Sequence, residues 1–228
     1  MLTPTQLDQY HRDGVLLGEG VADEATLAAM RRALAELIAQ SAAVTQHNDI
    51  YDLEPDHSAA NPRLRRIKHP HKRHPIFREF CTREPLLVVP GSHNGTVHDH
   101  NADGRFCGAI DPERVQLPYD KAIPCVGKAG TISIHHTFAV HGSAANTSPS
   151  SRPFLLYEFM AADAWPLMGV RDLDEFDSRM ICGEKTYSPR MEAVPVRLPL
   201  PAAENLGSIY ENQNAVKNRY FTAEVVAS

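Results

Sequence analysis

Long apolar runs are missing from this chain. No stretch approaches the ~18 consecutive apolar residues of a membrane-crossing helix, so no membrane partner is expected. The start, Met1-Leu2-Thr3-Pro4-Thr5, lacks the basic and apolar regions of a secretory leader. The end, Val226-Ala227-Ser228, spells no organelle address, and a cytoplasmic location is expected. Cysteine is sparse: Cys81, Cys107, Cys125 and Cys182 form no CxxC pair and read as reduced thiols rather than as disulfides. A G-x-S-x-G elbow is absent. Gly91-Ser92-His93-Asn94-Gly95 sets its serine one place early, which excludes an α/β-hydrolase nucleophile. In Gly18-Glu19-Gly20-Val21-Ala22-Asp23 the third glycine of a dinucleotide loop is missing, and the Asp23 carboxylate would repel a pyrophosphate, so the stretch reads as a helix cap.

Charge gives little encouragement for nucleic acid, with a net of −5 at pH 7. The local exception runs from Arg63 to His74, with six lysines and arginines and no acid. It holds no aromatic residue on which a base could stack. Its plain reading is a solvated, proline-broken loop. Its sharper reading is a positive rim that attracts an acidic small-molecule substrate.

With 228 residues and 43% hydrophobic content, the sequence reads as one globular domain. Thr3-Pro4 opens a short helix that Asp13-Gly14 closes. Val15-Leu16-Leu17 reads as a buried strand. Asp23 caps a second helix from about Glu24 to Ala43, with Leu27, Met30, Leu34, Leu37 and Ile38 on one face. Residues 44–75, rich in Pro, Asn, Asp and His, read as loop. A third helix is expected from Pro75 to Thr82, and strands at Leu86–Val89, Ala122–Val126, Thr131–His135 and Phe154–Phe159. Beyond Trp165 the chain looks irregular. Helices first and strands later suggest an α+β or mostly-β domain with an N-terminal helical layer at 1–87, strands within 88–165 and a tail at 166–228.

The chemistry concentrates near the end of the Thr131 strand. His141 is expected to close an apolar strand, Gly142 lets the backbone bend, and Ser143 can hydrogen-bond a bound acid. Asn146 and Thr147 supply turn chemistry. Arg152, expected to be buried at the head of the next apolar strand, carries a permanent charge in a planar fork suited to a carboxylate. A pairing of Arg152 with a protein carboxylate is the structural alternative. His135 and His136 point to opposite faces of their strand, and His135 is expected to face the core with His141 nearby. His98-Asp99-His100 with Asp103, or His135 with His141, could form a different metal site, although such histidines more often decorate a surface or sit hydrogen-bonded in a core.

On these residues the chain resembles the phytanoyl-CoA dioxygenase family of iron(II), 2-oxoglutarate-dependent oxygenases. Asp13-Gly14-Val15, Val88-Val89-Pro90-Gly91-Ser92-His93, the stretch Gly130 to His141, His141-Gly142-Ser143 and Arg152 carry the resemblance. It implies a double-stranded β-helix, the jelly-roll or cupin-like fold, with N-terminal helices. It implies Fe(II) held by two histidines and a carboxylate, with 2-oxoglutarate as cosubstrate. His141 would then be the later metal histidine, and Arg152, assisted by Ser143, would hold the distal carboxylate of 2-oxoglutarate.

The family's first histidine and its carboxylate come from an H-x-D motif, whose spacing points both side chains to one face of a strand. Here Glu84-Pro85-Leu86-Leu87 runs straight into Val88-Val89-Pro90, so the H-x-D strands are absent and the jelly-roll is incomplete. His47-Asn48-Asp49 spells the motif but falls too early and in a loop-like stretch, so it reads as coincidence. The remaining ligands beside His141 are unassigned. Two functions follow from the resemblance: a dioxygenase that hydroxylates a small organic substrate, or a relative that binds a carboxylate ligand without turnover. Oligomeric state is not legible.

Overall fold

A computed structural model of the protein describes residues 2–81, 119–136, 139–143, 146, 148–167 and 169–191. The expected strand Leu86–Val89, the Pro90–His93 motif, Cys107, Thr147 and the His98–Asp103 cluster lie outside the described residues. Two units organise the chain: Met1–Leu87 with Pro124–His136, and Val88–Ile123 with Thr137–Ser228.

The first unit begins with helix α1, Pro4–Asp13, and local chemistry fixes both of its ends. Thr3 and Gln6 form a capping box: the Gln6 N–H donates to Thr3 Oγ1 at 3.3 Å, and the Thr3 N–H donates to Gln6 Oε1 at 2.8 Å. Gly14, at φ 70°, ends the helix in the left-handed region, where a glycine carries no Cβ penalty. Strand β1, Val15–Gly18, follows and is buried at Val15 and Leu16. Asp23 caps helix α2, Glu24–Gln40, by accepting the Thr26 N–H at 2.8 Å, and a short 3-10 turn, Ser41–Ala43, follows it. The buried line of α2 runs through Thr26, Ala33 and Leu37, whereas Leu27, Met30, Leu34 and Ile38 are half-buried beside it.

Residues 44–75 are not simply loop. They hold strand β2, Tyr51–Leu53, and strand β3, Leu64–Ile67, paired antiparallel with a register irregularity between Asp52 and Leu53. Tyr51 and Leu53 are buried. The expected positive rim is largely neutralised here. Arg63 pairs with Asp56 at 2.6 Å and Arg65 with Glu54 at 3.4 Å, while Arg66 and Lys68 share the buried Asp52 at 2.7 and 2.9 Å. A 3-10 turn, Pro70–Lys72, leads to helix α3, Pro75–Cys81, which buries Phe77, Phe80 and Cys81 and packs against α2. Burial pushes the Cys81 thiol above its ordinary range, which keeps it protonated and unreactive at neutral pH.

Strand β4, Ile132–His135, pairs antiparallel with β1, setting Val15 opposite His135 and Gly18 opposite Ile132. Gly130 makes the entry to β4 possible. It sits at φ 93°, its carbonyl accepts the Ala22 N–H at 3.2 Å, and a Cβ there would collide with the Ala22 carbonyl oxygen. His136, rather than His135, is the buried one of the two, and its ring stands edge-on to Tyr10 with centroids 6.1 Å apart. The Tyr10 hydroxyl is buried without a hydrogen-bond partner among the described residues, and burial raises its pKa. Removing an unsatisfied buried hydroxyl relieves its desolvation cost. Tyr10→Phe is therefore expected to leave stability unchanged or raise it by up to about 1 kcal/mol, whereas Tyr10→Ala loses about 3 kcal/mol of packing. Urea unfolding of the two variants checks this. A Tyr10→Phe variant less stable than the parent by more than ~1 kcal/mol would reveal a partner for the hydroxyl.

In the second unit, two expected features change. Ala122–Val126, at the junction of the two units, and Phe154–Phe159 form no strand. Around the latter, Phe154, Leu156 and Met160 are exposed while Leu155, Tyr157 and Phe159 are half-buried. The alternation is that of a strand, but a strand also needs a ladder of backbone hydrogen bonds. The ladders among the described residues are β1–β4 and β2–β3, and neither includes these segments. The tail after Trp165 is also less irregular than its composition suggests. Helix α4, Leu173–Ser178, is capped by Asp172, which accepts the Glu175 N–H at 2.9 Å. The Trp165 ring lies 5.0 Å from Phe176 and 6.0 Å from Tyr187, and its indole N–H donates to the Thr186 carbonyl at 3.1 Å. Asp177 accepts from both Lys185 and Tyr187 at 3.1 Å. No helix among the described residues is long and apolar enough to cross a membrane.

Candidate functional site

The expected site residues lie in the second unit, on segments without regular structure. His141 is exposed, and its Nδ1 lies 2.9 Å from the Ala139 carbonyl oxygen. A carbonyl oxygen can only accept, so Nδ1 is the donor in this contact. In the neutral ring the lone pair then belongs to Nε2. Backbone carbonyls commonly fix metal-binding histidines in this tautomer. The Gly142-Ser143 bend that follows is exposed as well.

A side-chain-stapled turn connects His141 to Arg152. Asn146 Nδ2 donates to the Ser150 carbonyl at 2.7 Å, while Asn146 Oδ1 accepts the Ser148 N–H at 3.1 Å and the Ser148 hydroxyl at 2.7 Å. The turn chemistry expected of Asn146 is thus realised. Arg152 follows the turn and is exposed, not buried at a strand start as its sequence context suggested. Without a ladder partner the segment does not enclose it, and it forms no ion pair with a described carboxylate. A guanidinium in this state retains its full fork of donors for an incoming anion.

The described residues alone do not complete an iron site. Among the described residues no group of three His, Cys, Asp or Glu side chains could hold a metal ion. His47 and Asn48 of His47-Asn48-Asp49 are committed to the backbone instead. His47 Nδ1 accepts the Leu53 N–H at 3.0 Å, and Asn48 Oδ1 accepts the N–H groups of Ile50 and Tyr51, both at 2.8 Å. These bonds shape the turn into β2, which is a structural role. His135 is occupied by Ser133, whose hydroxyl lies 2.8 Å from Nε2. Sequence reasoning did not anticipate the Ala139 contact that sets the His141 tautomer, because it depends on a local bend rather than on a motif.

Comparison with known proteins bears on the same stretch. Residues 81–154 match the profile of the phytanoyl-CoA dioxygenase family, a span that includes His141, Ser143 and Arg152. A protein of Stutzerimonas stutzeri named "Probable alpha-ketoglutarate-dependent hypophosphite dioxygenase" is 37% identical over 144 residues, which is 60% of this chain and 49% of that protein. The chain therefore spans about half the length of the curated relative it matches. No solved structure matches.

Proposed function

We propose, from its similarity to the phytanoyl-CoA dioxygenase family, that the chain serves 2-oxoglutarate-dependent oxidation of a small organic substrate on that family's jelly-roll framework. Arg152 and Ser143 hold a carboxylate of 2-oxoglutarate, and His141 is one protein ligand of Fe(II). The observation that carries this reading is the coincidence of the family match with these three positions. The His141 tautomer and the absence of a described carboxylate partner for Arg152 support it.

This chain's own residues would contribute binding and orientation. The Arg152 fork offers two parallel charge-assisted hydrogen bonds to a carboxylate, a geometry that fixes direction as well as affinity. The Ser143 hydroxyl adds a donor. Iron, when bound, supplies the oxygen chemistry.

A second reading is favoured by one observation: no described donor set completes a triad with His141. In that case the chain binds the carboxylate without turnover. Calorimetry with 2-oxoglutarate separates the readings when run with Fe(II) and again in EDTA, alongside an assay for succinate release. Arg152→Ala is expected to weaken 2-oxoglutarate binding by at least about tenfold, the loss of one charge-assisted bidentate contact. Binding that persists in EDTA without succinate release selects the second reading. Equal affinity in the parent and Arg152→Ala would remove the clamp from both.

A further inference from the structure

From Phe154 to Met160 the chain keeps the period of a strand without its ladder. Phe154, Leu156, Glu158 and Met160 are exposed, Phe154 at 73% and Leu156 at 65%, while Leu155, Tyr157 and Phe159 between them are half-buried. The Tyr157 and Phe159 ring centroids lie 6.0 Å apart, a contact two residues along that fits side chains on one face of extended backbone. Neither ladder among the described residues includes this segment. Extended backbone in that condition presents an edge of donors and acceptors on which another strand can pair.

The sequence of the exposed face names the partner strand. It runs Arg152, Phe154, Leu156, Glu158: a cation, two apolar side chains and an anion. That order is complementary to its own reverse. Laid antiparallel to itself about Leu155, it sets Arg152 opposite Glu158 of the second copy and Phe154 opposite Leu156, and the two-fold axis repeats both pairs. Centring the pair on Phe154 instead sets Arg152 opposite Leu156, and centring it on Leu156 sets Glu158 opposite Phe154. Each of these leaves a charge against an apolar side chain. A slip of one residue sets exposed positions opposite half-buried ones and mixes the two faces. Pro153 agrees with the register about Leu155. Bonded and non-bonded pairs alternate along an antiparallel ladder, so when Phe154 and Leu156 carry the hydrogen bonds, Pro153, which has no N–H, is not asked to donate.

We propose that this segment is an interface between two copies of the chain, an antiparallel strand pair with its two-fold axis at Leu155. The inference goes beyond the oxygenase reading but shares Arg152 with it. A guanidinium set against Glu158 of a second copy is not open to a cosubstrate, so carboxylate binding by Arg152 belongs to the monomer.

Sedimentation equilibrium of the full chain tests the interface, with a thiol reductant present so that the exposed Cys125 and Cys182 form no cross-link. A concentration-dependent monomer–dimer equilibrium is expected. Glu158→Arg and Arg152→Glu each set like charges opposite one another twice in the dimer, and each should weaken association at least about tenfold. The exchanged variant, Arg152→Glu with Glu158→Arg, restores the pairs with their signs reversed and should return to within about threefold of the parent. A parent that is monomeric at every concentration, single reversals with parental affinity, or an exchanged variant no better than the single ones overturns the proposal. So does association that continues past a dimer, because a two-fold pair is closed. Glu158→Arg also separates the interface from the clamp, since it should bind 2-oxoglutarate at least as tightly as the parent. If neither of these two binds 2-oxoglutarate while the exchanged variant restores the dimer, the clamp reading fails and the interface stands. Both charged residues are exposed, so the variants are expected to fold, and circular dichroism verifies that.

Discussion

Asp52→Ala is expected to destabilise the first unit by about 3 kcal/mol, read as a fall of about 2 M in the urea midpoint. The magnitude follows from what the carboxylate does. Asp52 is 3% exposed, at the centre of β2, and nearly all of its surface is taken from water. Arg66 reaches it through Nε at 2.8 Å and Nη2 at 2.7 Å, and Lys68 Nζ approaches at 2.9 Å. Alanine removes the shared acceptor and leaves two cations facing each other. Each cation keeps partial solvent access, at 38% for the Arg66 side chain and 27% for Lys68, so the loss should fall at the lower end for a broken buried pair. Asp52→Asn keeps an acceptor and removes the charge, so it should cost about half as much. If Asp52→Ala instead shifts stability by under ~0.5 kcal/mol, the cluster is worth no more than a surface ion pair.

The same cluster explains why this part of the fold was illegible in the sequence. Tyr51-Asp52-Leu53 is too short to announce a strand, and Leu64-Arg65-Arg66-Ile67 reads as part of a basic loop. Their pairing depends on charges brought together across a ten-residue connection, a tertiary fact that no local window contains. Where the determinants are local, reading succeeded. Thr3-Pro4, Asp13-Gly14 and the Asp23 cap define α1 and α2 from a few neighbouring residues. Helix α4 was legible in principle. Asp172 stands three residues before Glu175, the spacing of a capped helix start, but the surrounding prolines and polar residues masked it.

Phe154–Phe159 illustrates the opposite error. Alternation is a property of one segment, whereas a strand is a property of two. His135 and His136 show a finer version of the same limit. Alternation alone set His135 inward; the chain instead buries His136, whose N–H donates to the Gly14 carbonyl at 2.8 Å just past the β1–β4 register that puts His135 opposite Val15. At the candidate site, sequence named His141, Ser143 and Arg152 as residues. The hydrogen bonds that orient His141 and close the intervening turn came from the structure alone.

His141→Ala is expected to reduce Fe(II) uptake by at least about 100-fold while leaving 2-oxoglutarate binding in EDTA within about twofold. The first part follows from the chemistry of the donor. A neutral imidazole whose Nδ1 proton is given to the Ala139 carbonyl presents Nε2 as a directed lone pair, and alanine supplies nothing in its place. Fe(II) prefers several nitrogen and oxygen ligands in fixed geometry, so loss of one protein ligand costs more than loss of an outer-shell partner, which itself costs 10–100-fold. The second part follows from the different chemistry of the two groups. An Arg152 clamp would bind a carboxylate by charge and fork geometry, and neither depends on the imidazole. Equilibrium dialysis with metal analysis gives the first quantity and calorimetry gives the second. Parental iron uptake by His141→Ala would show that the ligands lie elsewhere. Joint loss of iron and 2-oxoglutarate binding would show that the two groups act as one site, with the cosubstrate reaching Arg152 only when the metal is in place.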